Sequence, residues 1–265
     1  MRKTIEMSTN LIKKTIEEKG TGILNVYFTA GYPRLEDTVN IISGLSEAGV
    51  DLIELGMPYS DPLADGLTIQ QSSEKALKNG MNLKLLFEQV KEARKHTEIP
   101  IIAMGYYNQL LQYGEENFLK EASDCGINGL IIPDLPMDIY ESKYQSLFNQ
   151  YGLSISFLIS PMTTDDRIQQ ADRLSSAFIY VVSQSSITGK SNDITDDQKA
   201  YFTRIHEMGL HSPTLIGFGI HDRSTYEIAC KYSHGAIVGS AFIRALDSEE
   251  PIDKRISDFI KNIRS

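Results

Sequence analysis

Val50-Asp51-Leu52-Ile53-Glu54-Leu55-Gly56-Met57 runs into Pro58-Tyr59-Ser60-Asp61-Pro62-Leu63-Ala64-Asp65-Gly66, and the fold is read from that junction. The first eight residues have strand length and are almost continuously apolar. Such a run fits a parallel strand covered on both faces, whereas a half-exposed strand alternates apolar with polar. Similar runs recur at Ile23–Ala30, Ile99–Tyr106, Gly129–Leu135, Ser154–Ser160, Ala177–Ser183, Thr214–Ile220 and Gly235–Gly239. Between them lie stretches with apolar residues at helical spacing: Thr38–Ala48, Leu83–Thr97, Glu115–Cys125, Ile139–Tyr151, Asp165–Ser175, Asp196–Met208 and Arg223–Lys231. Ala241–Leu246 reads as a short helix, and Ile252–Ile263 closes the chain. This beat of about eight β-then-α units, without a Pro/Gly/Ser-rich linker, predicts a single (β/α)8 TIM barrel domain spanning residues 1–265. A doubly wound sheet is the competing arrangement.

The 26 basic residues are outnumbered by 35 acidic ones, for a net charge of −9. That excludes the broad basic field that nucleic acid or an anionic membrane requires. Cys125 and Cys230 are far apart and lack metal-ligand spacing, so both are expected to be reduced. Met1 to Gly20 is rich in Lys and Glu and lacks the apolar core of a signal peptide. No run approaches the length of a membrane span, and a cytoplasmic protein is expected.

A barrel carries its chemistry at the C-terminal ends of its strands. Leu52, Glu54 and Gly56 share one face of their strand, because side chains alternate. A carboxylate among such neighbours loses hydration, which raises its pKa towards the range of a general acid. The competing reading is a structural carboxylate with a polar partner. Asp65 follows on a loop stiffened by two prolines and Gly66. Alone it reads as a turn residue; its place over the same barrel mouth makes it a second acid–base candidate. Gly217-Phe218-Gly219 and Gly239-Ser240 end the last two strands, where barrels often bind phosphate through backbone N–H groups. Simple turn glycines are the alternative. The polar loop from Ser183 to Asp193 has the composition of a lid, or of a surface loop with no role. None of the strand runs contains a Lys, which argues against Schiff-base chemistry, and only His221 lies near a strand end, so metal ligands are lacking.

Phe28-Thr29-Ala30-Gly31-Tyr32-Pro33 and the long stretch Glu54 to Gln70 closely resemble tryptophan synthase α-subunits. Tyr106-Tyr107-Asn108, Pro133-Asp134-Leu135-Pro136, Ile187-Thr188-Gly189, Gly217-Phe218-Gly219-Ile220 and Gly239-Ser240-Ala241 follow in that family's order. The resemblance implies cleavage of indole-3-glycerol phosphate to indole and glyceraldehyde 3-phosphate, with Glu54 and Asp65 catalytic. It implies substrate contacts from Tyr27, Tyr106, Leu135, Tyr180 and the lid Thr188, and a phosphate site at Gly189, Gly219, Gly239 and Ser240. It places Asp61 against a β-subunit in an αββα heterotetramer, with pyridoxal phosphate held by that partner and no cofactor in this chain. The sequence departs from the family's pattern at Ser186-Ile187, where Gly-Val is usual, and at Val26-Tyr27, where Pro-Phe is common. A free-standing lyase and a catalytically weak activating subunit are the competing functions. One raised and one ordinary carboxylate pKa would suit the two acid–base roles.

Overall fold

Each of the eight apolar runs contains strand. The computed structural model describes residues 10–62, 65–183, 195–217 and 219–265. Thr188 and Gly189 lie outside the described residues, as do Ser186, Ile187 and Phe218. Among the described residues the strands are β1 (Ile23–Thr29), β2 (Leu52–Gly56), β3 (Ile101–Met104), β4 (Gly129–Ile131), β5 (Ser154–Ile155), β6 (Leu158–Ile159), β7 (Ile179–Val182), β8 (Thr214–Gly217) and β9 (Gly235–Val238). They pair in the order β5-β4-β3-β2-β1-β9-β8-β7-β6, every pair parallel.

β5 and β6 are one barrel strand interrupted at Ser156 and Phe157. The Ser156 N–H donates to Leu130 O at 3.2 Å on one side, and Phe157 O accepts from the Tyr180 N–H at 2.9 Å on the other. This segment therefore bonds to β4 and to β7, and the sheet closes into a (β/α)8 barrel. The doubly wound alternative leaves two sheet edges open and is excluded.

Two apolar groups follow from the alternation of side chains. Ile23, Leu52, Ile102, Ile131, Phe178, Tyr180, Leu215 and Ile237 fill the barrel, while a larger cluster, which also takes in Tyr27, lies mainly between the strands and the outer helices. The helix Leu11–Lys19 supplies Ile12 and Ile16 to the inner group, so it plugs the barrel's floor. Sequence reading did not anticipate that helix, because its apolar residues are few and its remaining surface is charged. It also passed over the helices Leu67–Lys78 and Tyr107–Tyr113. The stretch expected as one helix from Ile139 to Tyr151 instead passes through a π-helical turn, Tyr140–Tyr144. No helix of the described residues is long and apolar enough to cross a membrane.

Candidate active site

β1 and β2 build the centre of the site. Their register sets Tyr27 beside Glu54 and Thr29 beside Gly56, so Asn25, Tyr27 and Thr29 share the inward face with Leu52, Glu54 and Gly56. Glu54 is 1% exposed. Burial pushes its carboxyl up to about 8; a hydrogen bond from Asn25 pulls it back, and the nearby Asp65 raises it. The Asn25 amide nitrogen donates to Glu54 Oε2 at 3.2 Å.

Asp65 stands in the loop that follows, half-buried, and its main-chain oxygen accepts from the Gln70 side chain at 2.8 Å. Burial raises its carboxyl as well, while the Tyr106 hydroxyl bonded to it draws it down. The expected contrast of one raised and one ordinary carboxyl is thus replaced by two raised ones.

Two tyrosines line the same space. Burial, Asp65 and Glu54 all push the Tyr27 hydroxyl upward, and burial, Glu54, Tyr27 and Asp65 do the same to Tyr180. Both stay neutral. Room for each comes from a glycine: a Cβ at Gly56 would run into the Tyr27 ring, and one at Gly217 into the Tyr180 ring. Tyr59 stacks on Tyr106, ring centroids 5.2 Å apart, and Gln109 clamps the two loops by donating to Pro58 O at 3.0 Å and accepting from the Tyr106 N–H at 2.9 Å.

The structure therefore gathers Glu54, Asp65, Tyr27, Tyr106 and Tyr180 at one barrel mouth. Gly239 borders them: a Cβ there would sit 3.5 Å from Tyr27 Cβ. Ser240 opens the short helix Ser240–Ala245, and Gly219 has a left-handed backbone, φ +79°, which glycine adopts without strain. Asp61 is exposed, its carboxylate held by the Ser60 hydroxyl at 2.5 Å. Leu135, beyond the end of β4, is buried and lines a small cavity with Pro133, Phe157 and Arg167. The apolar residue that the same segment sends into the barrel is Ile131, with Met104 beside it.

Sequence reading missed Asn25, Thr29 and Ser72. The Tyr27 hydroxyl lies 3.4 Å from Thr29 Oγ1, which lies 2.7 Å from Ser72 Oγ. The available signal was Asn25 itself, an amide in an otherwise apolar strand run, two residues before Tyr27.

A closed (β/α)8 barrel with paired carboxyls and hydroxyls buried at its mouth is laid out for proton-transfer catalysis. The sequence model of the tryptophan synthase alpha chain family matches residues 13–264. The chain is 50% identical over 256 residues to the tryptophan synthase alpha chain of Christiangramia forsetii, covering 97% of this chain and 99% of that one. It is 52% identical over 254 residues to that of Flavobacterium psychrophilum, covering 96% and 99%. The crystal structure of the alpha chain from Legionella pneumophila subsp. pneumophila superposes with a TM-score of 0.87 at 28% identity, covering 97% of each chain. A chain of the Pyrococcus furiosus tryptophan synthase complex gives 0.83 at 32% identity, covering 92% of this chain and 98% of that one. The chain belongs to the tryptophan synthase alpha chain family. It is a lyase of tryptophan biosynthesis, which cleaves indole-3-glycerol phosphate.

Proposed function

We propose that Glu54 and Asp65 are the acid–base pair of this cleavage. The carrying observation is a deeply buried Glu54, its carboxyl raised to about 8, in the same mouth as a second carboxyl. Glu54 is protonated at neutral pH and delivers its proton to indole C3. The ring nitrogen becomes electron-poor, and ionised Asp65 stabilises the positive charge there. Glu54, now a carboxylate, takes the proton from the hydroxyl on the carbon bonded to C3. The carbon–carbon bond breaks, its electrons return to the ring, and indole and glyceraldehyde 3-phosphate separate. Glu54 ends as it began.

Tyr27, Tyr106 and Tyr180 hold the indole beside the carboxyls. Gly219, Gly239 and Ser240 hold the phosphate. Partner assembly follows the family: a β-subunit that carries pyridoxal phosphate docks on the face bearing Asp61 and completes an αββα heterotetramer in the cytoplasm.

Steady-state cleavage of indole-3-glycerol phosphate by Glu54→Gln, with and without a β-subunit, tests the central assignment. Turnover should fall roughly 10²–10⁴-fold. Retention of more than about a tenth of the wild-type rate removes Glu54 from this role. Gly239→Asp should raise KM for the phosphorylated substrate far more than it lowers kcat, through bulk and charge repulsion.

A further inference from the structure

We propose that Asn25 is a positioning residue for Glu54, its side-chain amide holding the carboxyl in its ionised form each time Glu54 gives up its proton. The inference rests on the reading of Glu54 as the proton shuttle.

Asn25 is fully buried on the inward face of β1, between Ile23 and Tyr27 on that face and across from Leu52. An amide is disfavoured in such a strand unless its polar atoms are bonded. Only one end is bonded here. Nδ2 donates to Glu54 Oε2, while Oδ1 has no hydrogen-bond partner among the described residues.

A carboxamide has nearly the same shape at both ends, with donors at one and an acceptor at the other. A carboxylate only accepts, whereas a protonated carboxyl also donates. The Nδ2 end therefore favours ionised Glu54 over the protonated form. Glu54 passes through both forms in each turnover, and Asn25 itself neither gains nor loses a proton. The other titratable groups facing Glu54 are Asp65 from the loop after β2, Tyr27 of β1 and Tyr180 of β7. Asn25 differs from these in lowering the Glu54 pKa.

The test is the pH dependence of kcat for indole-3-glycerol phosphate cleavage by wild type, Asn25→Leu and Asn25→Asp, each with and without a β-subunit. It is paired with infrared titration of the Glu54 carboxyl, using Glu54→Gln as the blank. In Asn25→Leu, which keeps the shape and removes both polar ends, the Glu54 ionisation should move up by about one pH unit, a roughly tenfold change in the equilibrium. kcat should fall with KM changed less than about twofold, since Asn25 stabilises the shuttle and not the bound substrate. Asn25→Asp should move the ionisation further up, because a second carboxyl then faces the first. An unmoved Glu54 titration in folded Asn25→Leu overturns the proposal. If that variant does not fold, an unmoved titration in the isosteric Asn25→Asp overturns it. The two readings fail separately. Near-wild-type turnover of Glu54→Gln removes the shuttle, whereas an inactive Glu54→Gln with an unmoved titration in the Asn25 variants removes Asn25 alone.

Discussion

Tyr27 on β1 occupies the space that a side chain on Gly56 of β2 would need. The close approach lets a tyrosine lie within the barrel beside Glu54. Gly56→Ala should force the Tyr27 ring aside at a cost of about 1–3 kcal/mol, the usual penalty of overpacking. Tyr27→Leu in the same chain should recover part of that loss. Urea unfolding of both single variants and the double variant measures the coupling, and strict additivity of the two effects would mean that the residues do not share this space.

Glu54 makes stability depend on pH with a definite sign. Its folded pKa, about 8, lies above the ordinary glutamate value of 4.5, so the folded state binds more protons between those values. The full contribution of Glu54 is present below 4.5 and is lost as pH rises through about 8. Glu54→Gln removes that loss. Its stability should match wild type near pH 4.5 and exceed it by pH 8.5, by up to a few kcal/mol, at roughly 1.4 kcal/mol for each tenfold change in the ionisation equilibrium. Equal urea midpoints for the two proteins at both pH values would mean that Glu54 is not desolvated.

The barrel was legible because eight apolar runs at regular spacing need only local pattern. Glu54 stood out for the same reason, as a charge inside one of those runs. What escaped depended on partners distant in sequence. Asn25 meets Glu54 across 29 positions and Thr29 meets Ser72 across 43, and neither pair has a local signature. The floor helix Leu11–Lys19 went unseen because Ile12 and Ile16 gain their meaning only from the open barrel end beneath which they pack. Asp65 alone reads as a turn residue, and its burial at the mouth, which raises its carboxyl, depends on partners that the loop's composition does not show.

Ile131 faces the barrel interior, and Leu135, past the end of the same strand, is buried beside Pro133 and Phe157. Ile131→Ala should therefore lower kcat/KM for indole-3-glycerol phosphate more than Leu135→Ala. Leu135→Ala should act mainly on stability, with a loss of about 2–5 kcal/mol for a truncated core leucine. A larger catalytic loss in Leu135→Ala would make Leu135, and not Ile131, the indole contact.

Asp51 ties both ends of the chain to the barrel. Its carboxylate accepts from Lys19 at 2.6 Å, from Arg264 at 2.9 Å and from the Leu24 N–H at 2.8 Å. Partial solvent exposure weakens the two ion pairs, so Asp51→Ala should cost about 1–2 kcal/mol, most of it from the lost backbone bond. Urea unfolding should show the lower midpoint, while kcat stays within about twofold of wild type because the site lies at the opposite barrel end. A large fall in kcat at unchanged stability would contradict a structural role.

Tyr106 opposes the effect of burial on Asp65. Burial raises the Asp65 carboxyl, and the Tyr106 hydroxyl opposes that rise by bonding to the ionised form. Tyr106→Phe keeps the ring stacked on Tyr59 and removes only the hydroxyl. The Asp65 pKa should then rise, so the acidic limb of the kcat/KM profile should move to higher pH. The alkaline limb, set by loss of the Glu54 proton, should hardly move. Near neutral pH a smaller share of Asp65 would be ionised, and less of the developing indole charge would be stabilised. Rate profiles between pH 5 and 9 for wild type, Tyr106→Phe and Asp65→Asn separate the effects. In Asp65→Asn the acidic limb should vanish, because the group that produces it is gone. An acidic limb that persists in Asp65→Asn would assign that ionisation to another group and detach Tyr106 from it.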